Sequence, residues 1–242
     1  MAAISALPFG NRMQVMGHFA RVSLDAVRNA IEPMPQALDS LLGASELQAS
    51  RCFVTLKRRT EFLGGRVAAK LAYLAGKKGG TRNFISLSCL DIPLTPGPFP
   101  TIYCRGRATA TASISHSGRW AVSFVSRCGK GVVDVEDDLW GGRSLDHYFS
   151  AFELGQIHNK NDARIRWTLK ESCLKLANDP EFDLLMDTTT ILDSADRWLV
   201  ATKHRRLLNG GMLGTFEWGD LAVAIGIIPK DVRLCIRRSP HV

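Results

Sequence analysis

The amino-acid sequence predicts a globular protein of the mixed α/β class, of the α+β kind, in which helices pack on mainly antiparallel strands. Three observations support this prediction. Residues 36–76 have helical periodicity, residues 108–136 have the alternation of strands, and three further strand segments lie between residues 197 and 228. The 242 residues are 45% hydrophobic and 22% charged, which suits one large domain or two halves.

The first part of the chain is predicted to be mainly helical. Residues 36–76 carry leucine and phenylalanine at helical spacing, with one break at Gly43 and an end at Gly76. The segment DIPLTPGPFP then places four prolines within ten residues. Proline cannot donate to a helix or a strand ladder, so residues 91–106 are predicted to form an irregular connection.

The middle of the chain is predicted to form strands. Small residues alternate from Ala108, and a turn at Gly118 leads to the strand WAVSFV. A second turn, at residues 127–131, joins this strand to GVVDVE. No internal repeat is evident in the sequence. If the chain forms two lobes, the junction is expected near this second turn.

The last part of the chain is predicted to return to helices and then to strands. Residues 144–162 and 164–177 are predicted helices. The segments RWLVATK, GTFEW and DLAVAIGII are predicted antiparallel strands, separated by NGG and GD turns. Basic residues cluster at residues 57–59 and 203–206, where a solvated face is the simplest explanation for the second cluster.

Composition argues against several classes of protein. No apolar run reaches about 18 residues, so we expect no membrane span, and the N-terminal residues do not resemble a secretory signal. The six cysteines are scattered, which argues against a zinc site or a disulfide framework. We therefore expect a cytoplasmic protein. The formal net charge of +8 predicts an anionic partner of undetermined kind.

Carboxylates are concentrated at the end of the predicted strand GVVDVE. Alternate side chains of a strand share a face, so Asp134 and Glu136 lie together, opposite Val133 and Val135. Two neighbouring carboxylates repel each other unless a cation lies between them, and Mg²⁺ prefers such oxygen ligands. An exposed acidic strand end is the alternative, because the spacing D-x-E is by itself a weak signal.

The predicted helix at residues 164–177 carries a further carboxylate. Its core-facing stripe consists of Leu169, Cys173, Leu176 and Ala177. Glu171 and Lys175 lie on the opposite side, one turn apart, where a surface ion pair would explain them. Trp167 shares that side, and a tryptophan is costly to leave in water. The three side chains together favour a side that faces a cleft.

Three segments taken together resemble the three signature motifs of the 4′-phosphopantetheinyl transferases. They are ISHSGRW (114–120), GVVDVE (131–136) and WTLKESCLK (167–175), and KRRTEFLGGRVAAK (57–70) resembles a further segment of the family. The resemblance spans about residues 40–230. It is to the larger, surfactin-synthetase-activator type, a monomer of two similar lobes, each a mainly antiparallel sheet packed with helices, with the active site between the lobes.

The resemblance implies a division of labour between the lobes. The N-terminal lobe, residues 1–126, would hold the nucleotide of coenzyme A (CoA), and the C-terminal lobe, residues 127–242, would hold the metal site and the catalytic helix. The implied reaction transfers the 4′-phosphopantetheine group of CoA to a serine of an apo acyl or peptidyl carrier protein. Adenosine 3′,5′-bisphosphate is the implied second product.

The resemblance also implies roles for particular residues. The implied Mg²⁺ ligands are Asp134, Glu136 and Glu171, with Mn²⁺ as the alternative metal. The implied catalytic residues are Glu171, Lys175 and Asp134. Glu171 would accept the serine proton, directly or through a metal-bound water, and Lys175 would hold the pyrophosphate. The implied contacts to CoA phosphates are Ser115, His116 and Lys175, with Arg58, Arg66 and Lys70 as further candidates.

The sequence departs from the family pattern at two places. Val132 stands two residues before the first metal-binding aspartate, where the family usually has glycine. Gly97-Pro98-Phe99 stands where many members have G-K-P, so the lysine that reaches the CoA phosphate is missing. Arg105 or Arg107 is the expected substitute. No role is assigned to Asp137 and Asp138, which are expected in a solvated loop.

The implied partners are CoA and an acidic apo carrier protein, with neither nucleic acid nor a membrane, and the implied state is a monomer. Two alternatives from other classes stay open. One is a non-catalytic homologue that only binds carrier proteins, against which the intact carboxylates and Lys175 speak. The other is an unrelated Mg²⁺-dependent phosphoryl-transfer enzyme such as a nuclease, which leaves ISHSGRW unexplained.

Overall fold

The structure is a computed structural model that describes residues 17–32, 38–77, 86–94, 97, 99–126, 129–137, 144–179, 181, 183, 188–192, 198–202 and 212–229. The chain divides into two compact units, Met1–Arg127 and Cys128–Val242. All strand pairs within the described residues are antiparallel, and helices pack on the sheets, so the predicted α+β class is confirmed. None of the helices in these ranges is both long enough and apolar enough to cross a membrane.

The first unit contains a five-stranded sheet with the strand order β1-β5-β4-β3-β2. Its strands are β1 (Gly17–Ser23), β2 (Leu90–Asp91), β3 (Thr101–Cys104), β4 (Arg107–Ser117) and β5 (Trp120–Ser126). Its helices are α1 (Leu24–Ile31), α2 (Ala44–Ser50) and α3 (Leu56–Ala75), with a 3-10 turn at Leu87–Cys89. The long helix α3 lies across β1, β4 and β5.

Glycines let α3 approach its neighbours closely. A Cβ atom on Gly65 would lie 2.6 Å from the Ile114 side chain on β4, and a Cβ on Gly64 would lie 2.6 Å from Leu24. Real Cβ atoms do not tolerate such distances, so glycine is required at this packing density. The close approach brings α3 against the strand that carries the ISHSGRW segment.

The second unit contains a three-stranded sheet, β6-β10-β9, and a two-stranded sheet, β7-β8. Its strands are β6 (Gly129–Glu136), β7 (Thr188–Leu192), β8 (Trp198–Thr202), β9 (Met212–Trp218) and β10 (Leu221–Pro229). Its helices are α4 (Ala151–Leu154) and α5 (Lys160–Ala177), with a 3-10 turn at Leu145–His147. Helix α5 packs on β6 and β10 through the predicted core stripe, which is confirmed as buried: Leu169, Cys173, Leu176 and Ala177.

The predicted strands are confirmed, but two predicted helices and one predicted loop are wrong in extent. The segment 36–76 is broken at residues 51–55, because the Thr55 side chain accepts a hydrogen bond from Arg58 N and starts a new helix. The segment 144–162 is likewise broken before α5, where Asn159 caps the new helix. The connection predicted at residues 91–106 includes the end of β2 and all of β3, where TIYC follows the last proline, Pro100, and suits a strand. The basic cluster at residues 203–206 and Asp138 lie outside the described residues.

The order of elements repeats between the two units, although the sequence shows no repeat. In each unit a first strand leads through helices to a long helix, and four strands follow. The first strand pairs with the last strand of its own unit, β1 with β5 and β6 with β10. The long helices α3 and α5 therefore occupy corresponding places.

Candidate active site

The carboxylate of Asp134 lies on the face of β6 that meets α5. Strand β6 pairs with β10, with Asp134 opposite Ala224 and Val132 opposite Gly226. Residues 131–135 are all buried, and Asp134 is only 5% exposed. A buried carboxylate is stable only when it is neutralised or hydrogen-bonded. Asp134 therefore needs a cation or donors on the α5 side.

Lys175 in the last turn of α5 provides that cation. Its Nζ atom lies 2.7 Å from Asp134 Oδ1 and donates to the Val133 carbonyl at 3.1 Å. Helix C-terminal turns favour cations, because their free carbonyls carry partial negative charge. The Lys175 side chain is 20% exposed, so its ammonium group is held by the strand and still reaches solvent.

Glu171, one turn before Lys175, completes a group of three charges. Burial, and secondarily the negative charge of Asp134, raise the pKa of the Glu171 carboxyl to about 7, with Lys175 acting in the opposite direction. A carboxylate senses a second carboxylate in this way only when the two lie close together. The structure thus brings together three of the predicted site residues: Asp134, Glu171 and Lys175.

The predicted metal site is only partly assembled. Glu136 is half-buried at the end of β6. Among the described residues, no group of three or more His, Cys, Asp and Glu side chains is arranged to hold a metal ion. The chemistry of the donors nevertheless fits Mg²⁺, because Asp134 and Glu171 are oxygen ligands whose mutual repulsion a divalent cation would relieve.

Trp167 packs against two aromatic rings of its own unit. Its ring packs edge-on against Tyr148, with ring centres 4.7 Å apart, and against Phe149 at 6.4 Å. These aromatic rings belong to a small apolar cluster beneath α4, and such edge-to-face packing is favourable. These contacts account for part of the Trp167 ring, and the residue is half-buried. The interpretation that this side of α5 faces a cleft stays a prediction.

In the first unit, His116 and Arg58 lie beside a buried carboxylate. Glu61 on α3 is 9% exposed at its side chain, and its Oε2 atom lies 3.1 Å from Arg58 Nη1 and 3.9 Å from His116 Nε2. Lys57 Nζ lies 3.9 Å from the other carboxylate oxygen. Ser115, next to His116 on β4, is buried. Glu61 thus gathers three basic side chains at the start of α3.

One predicted phosphate contact, Lys70, does not fit the structure, and a second, Arg66, is mostly buried. Lys70 is fully buried and donates to Glu46 Oε2 and to the Leu41 carbonyl at 3.0 Å, so its ammonium group has no surface to offer a phosphate. We therefore withdraw Lys70 from the CoA contacts. Arg66 is 8% exposed, and its Nε atom donates to the Ile92 carbonyl at 3.2 Å. Most of its side chain is therefore occupied by contacts within the first unit.

The two candidates for the missing family lysine are placed in solvent. Arg105 and Arg107 flank Gly106 in the turn between β3 and β4, and all three are exposed. Arg105 has a positive φ of 49°, a left-handed conformation that the adjoining Gly106 shares at 76°. An exposed tight turn can present an arginine to a phosphate, so either residue stays a prediction.

Sequence reasoning missed several charged residues that organise these sites. Glu61 could have been found from its helical spacing to Lys57 and Arg58. Arg164 on α5 donates at 2.7 Å to the Asp137 carbonyl, just beyond Glu136, and at 2.7 Å to the Asp220 carbonyl. No sequence pattern indicates that contact, because its partners are backbone atoms far away in the chain.

Comparison with known protein sequences finds relatives of this chain. No family model matches the chain. The holo-(acyl-carrier-protein) synthase of Listeria innocua is 30% identical over 106 residues, which are 43% of this chain and 89% of that protein. The corresponding synthase of Exiguobacterium sibiricum is 33% identical over 115 residues, which are 43% of this chain and 80% of that protein.

Solved structures of the same name are more distant. The holo-(acyl-carrier-protein) synthase of Bacillus anthracis in complex with CoA (3′,5′-ADP) is 24% identical, with a TM-score of 0.39, and covers 46% of this chain and 92% of that chain. The two sequence relatives are matched over most of their own length. The chain therefore belongs to the family of the holo-(acyl-carrier-protein) synthases, which are phosphopantetheinyl transferases.

Proposed function

We propose that this protein transfers the 4′-phosphopantetheine group of CoA to a serine hydroxyl of an apo acyl or peptidyl carrier protein. The single observation that carries the proposal is the group of Asp134, Glu171 and Lys175, which lies within two segments that resemble family motifs. Two carboxylates and a lysine supply the proton acceptor and the positive charge that phosphoryl transfer needs. The family membership supplies the identity of the reaction.

Glu171 acts as the proton acceptor in this proposal. A carboxyl with a pKa of about 7 is about half ionised at neutral pH, and its carboxylate is basic enough to accept a proton. The serine oxygen loses its proton to Glu171 and attacks the phosphorus that bears the pantetheine arm. The bond from that phosphorus to the bridging oxygen of the pyrophosphate breaks, and adenosine 3′,5′-bisphosphate leaves.

Lys175 stabilises the negative charge that develops on the leaving group. Its ammonium group is fixed by Asp134 and by the Val133 carbonyl, so little reorganisation is needed during the reaction. Asp134, Glu136 and Glu171 would hold the divalent cation, with Mg²⁺ preferred and Mn²⁺ as the alternative. When bound, the cation would neutralise charge on the pyrophosphate.

The first unit contributes the contacts to the CoA nucleotide in this proposal. Arg58 and His116 are its principal phosphate contacts, since both are partly exposed and stand beside one carboxylate. Ser115 and Arg66 are secondary candidates. We further propose the larger, two-lobe form of the family. Its lobes would be residues 1–126 and 127–242, and the protein would be a cytoplasmic monomer with an acidic carrier protein as partner.

The nucleotide product tests this proposal. The protein, CoA, Mg²⁺ and an apo carrier protein are incubated together, and adenosine 3′,5′-bisphosphate is measured by chromatography. We expect the product to form only when carrier and metal are both present, and a chelator to stop it. A carrier-binding homologue without catalysis would bind the carrier and form no nucleotide. Cleavage of added nucleic acid without nucleotide release from CoA would indicate the other alternative.

A further inference from the structure

Both units contain a buried lysine that joins the long helix to a short helix. In the second unit, Lys170 on α5 donates to Glu153 Oε2 on α4 at 2.7 Å, and both side chains are fully buried. In the first unit, Lys70 on α3 makes the same contact with Glu46 on α2, and both are again fully buried. We call the two arrangements the Lys170 brace and the Lys70 brace.

The correspondence between the braces extends to their other partners. Glu153 caps the backbone of Ser150 and accepts from Thr190 N, and Arg166, four residues before Lys170, donates to the Thr190 carbonyl. Glu46 caps Gly43 and accepts from Ile92 N, and Arg66, four residues before Lys70, donates to the Ile92 carbonyl. Each brace thus ties its long helix to the short helix and to the next stretch of chain, which is β7 in the second unit and the residue after β2 in the first.

The Lys170 brace is the more strongly bonded of the two. Within the described residues, Glu153 accepts five hydrogen bonds, from Lys170 Nζ and from the backbone and hydroxyl groups of Ser150 and Thr190. Glu46 accepts three, from Lys70 Nζ and from two backbone N–H groups. Burial opposes ionisation of both carboxyls. It raises the pKa of Glu46, whereas hydrogen bonds from Lys170, Thr190 and Ser150 hold the pKa of Glu153 below its ordinary value.

The two long helices differ in the residues that follow the braced lysine. Lys170 immediately precedes Glu171 and lies about one helical turn before Lys175, the two helix residues of the proposed reaction. The corresponding positions after Lys70 are Leu71 and Ala75, which have no acid–base chemistry. A buried ion pair is weak support for stability, because removing two charges from water costs about as much as their attraction returns. The stronger bonding in the second unit therefore calls for a role besides stability.

We propose that Lys170 and Glu153 are positioning residues, which fix α5 so that Glu171 and Lys175 are aligned with Asp134 for phosphopantetheine transfer. Lys170 itself touches no substrate, since it has no exposed surface. This inference rests on the proposed function. A small misplacement of reacting groups lowers the rate of the chemical step more than it lowers substrate affinity.

The test compares matched variants of the two braces in the transfer assay. Glu153→Gln is expected to lower kcat about tenfold to a hundredfold and to leave the KM for CoA within about twofold of the wild-type value. Glu46→Gln breaks the equivalent contact, and its kcat is expected to stay within about twofold of wild type. Both are measured well below their unfolding temperatures, which are determined in parallel.

Thr190→Val is the milder variant if Glu153→Gln does not fold. It keeps both charged partners, removes the hydroxyl that donates to Glu153 at 2.8 Å, and gives Thr190 an apolar side chain like that of its counterpart Ile92. We expect it to fold and to lower kcat about threefold to tenfold with an unchanged KM for CoA. Equal losses of kcat in Glu153→Gln and Glu46→Gln, or an unchanged kcat in Thr190→Val, would overturn the positioning role. A wild-type protein without transfer would instead overturn the proposed function, and this inference with it.

Discussion

At the scale of single residues, the site depends on the buried carboxylate of Asp134, which interacts with two side chains of α5. Asp134 is paired with the ammonium group of Lys175 and also acts on the ionisation of Glu171. Sequence reasoning predicted these three residues from the resemblance of two short segments. It failed for Lys70, because the burial of a side chain depends on a partner such as Glu46, which lies 24 residues away and is brought close only by the fold.

The pH dependence of stability tests the environment of Glu171. Its folded-state pKa of about 7 lies above the ordinary value of 4.5, so the folded protein retains a proton that the unfolded chain releases. The wild-type protein therefore loses up to roughly 3 kcal/mol of stability as pH rises from 4.5 to 7. In metal-free buffer, Glu171→Gln should unfold at a higher temperature than wild type at pH 8, with the difference shrinking toward pH 4.5. A difference independent of pH would contradict the raised pKa.

Steady-state kinetics separate the roles of Lys175 and His116. A residue that acts on developing charge lowers kcat, whereas one that binds ground and transition states equally raises only KM. Lys175→Ala should lower kcat about a hundredfold, and His116→Ala should mainly raise the KM for CoA. Dephospho-CoA shows which phosphate His116 contacts, because losing a contact to the 3′-phosphate cannot affect a substrate that lacks it, whereas losing a contact to the pyrophosphate still can. An unchanged kcat in Lys175→Ala would refute its role.

At the scale of elements, the position of α5 on the sheet of the second unit decides whether the site forms. Sequence periodicity predicted the core-facing stripe of α5 correctly, because its spacing is set by the helix itself. The ends of the helices were predicted poorly, since Thr55 and Asn159 act through capping contacts that a hydrophobic pattern does not include. The contact of α5 with β10 was not predictable, because it depends on a glycine in a strand.

Gly226 on β10 tests the packing of α5. A Cβ atom there would collide with the Leu176 side chain and would lie 2.9 Å from Leu213 and 3.0 Å from Val132. Gly226→Ala should therefore destabilise the protein by about 1–3 kcal/mol, measured by urea denaturation. Gly155→Ala is the matched control, because its Cβ would meet only ordinary contacts of 3.6 and 3.7 Å. Equal stability of the two variants would contradict the close packing.

At the scale of the whole molecule, the net positive charge of the chain acts on a partner over the longest distance. The sequence carries 31 Lys and Arg against 23 Asp and Glu, and an acidic carrier would be attracted to it before contact.

The repeat of elements between the two units was not visible in the sequence, because it is preserved in the order of strands and in a few buried charges rather than in overall identity.

The dependence of the kinetics on salt tests that attraction. Exposed charges are screened over about 8 Å at physiological ionic strength, whereas partly buried contacts are screened less. Raising NaCl from low to several hundred millimolar should therefore raise the KM for the carrier protein more than the KM for CoA. Two KM values that hardly change, or change together, would indicate a mainly apolar carrier interface.

The most direct test of the proposed reaction is the intact mass of the carrier protein after incubation with CoA, Mg²⁺ and the enzyme. With the wild-type enzyme, we expect the carrier to gain the mass of one phosphopantetheine group, and a carrier whose acceptor serine is replaced by alanine to gain nothing. With Asp134→Ala, which should still fold because it removes one of two repelling carboxylates, the gain should disappear. An unmodified carrier with the wild-type enzyme would contradict the transferase function, and full modification by Asp134→Ala at the wild-type rate would contradict the site.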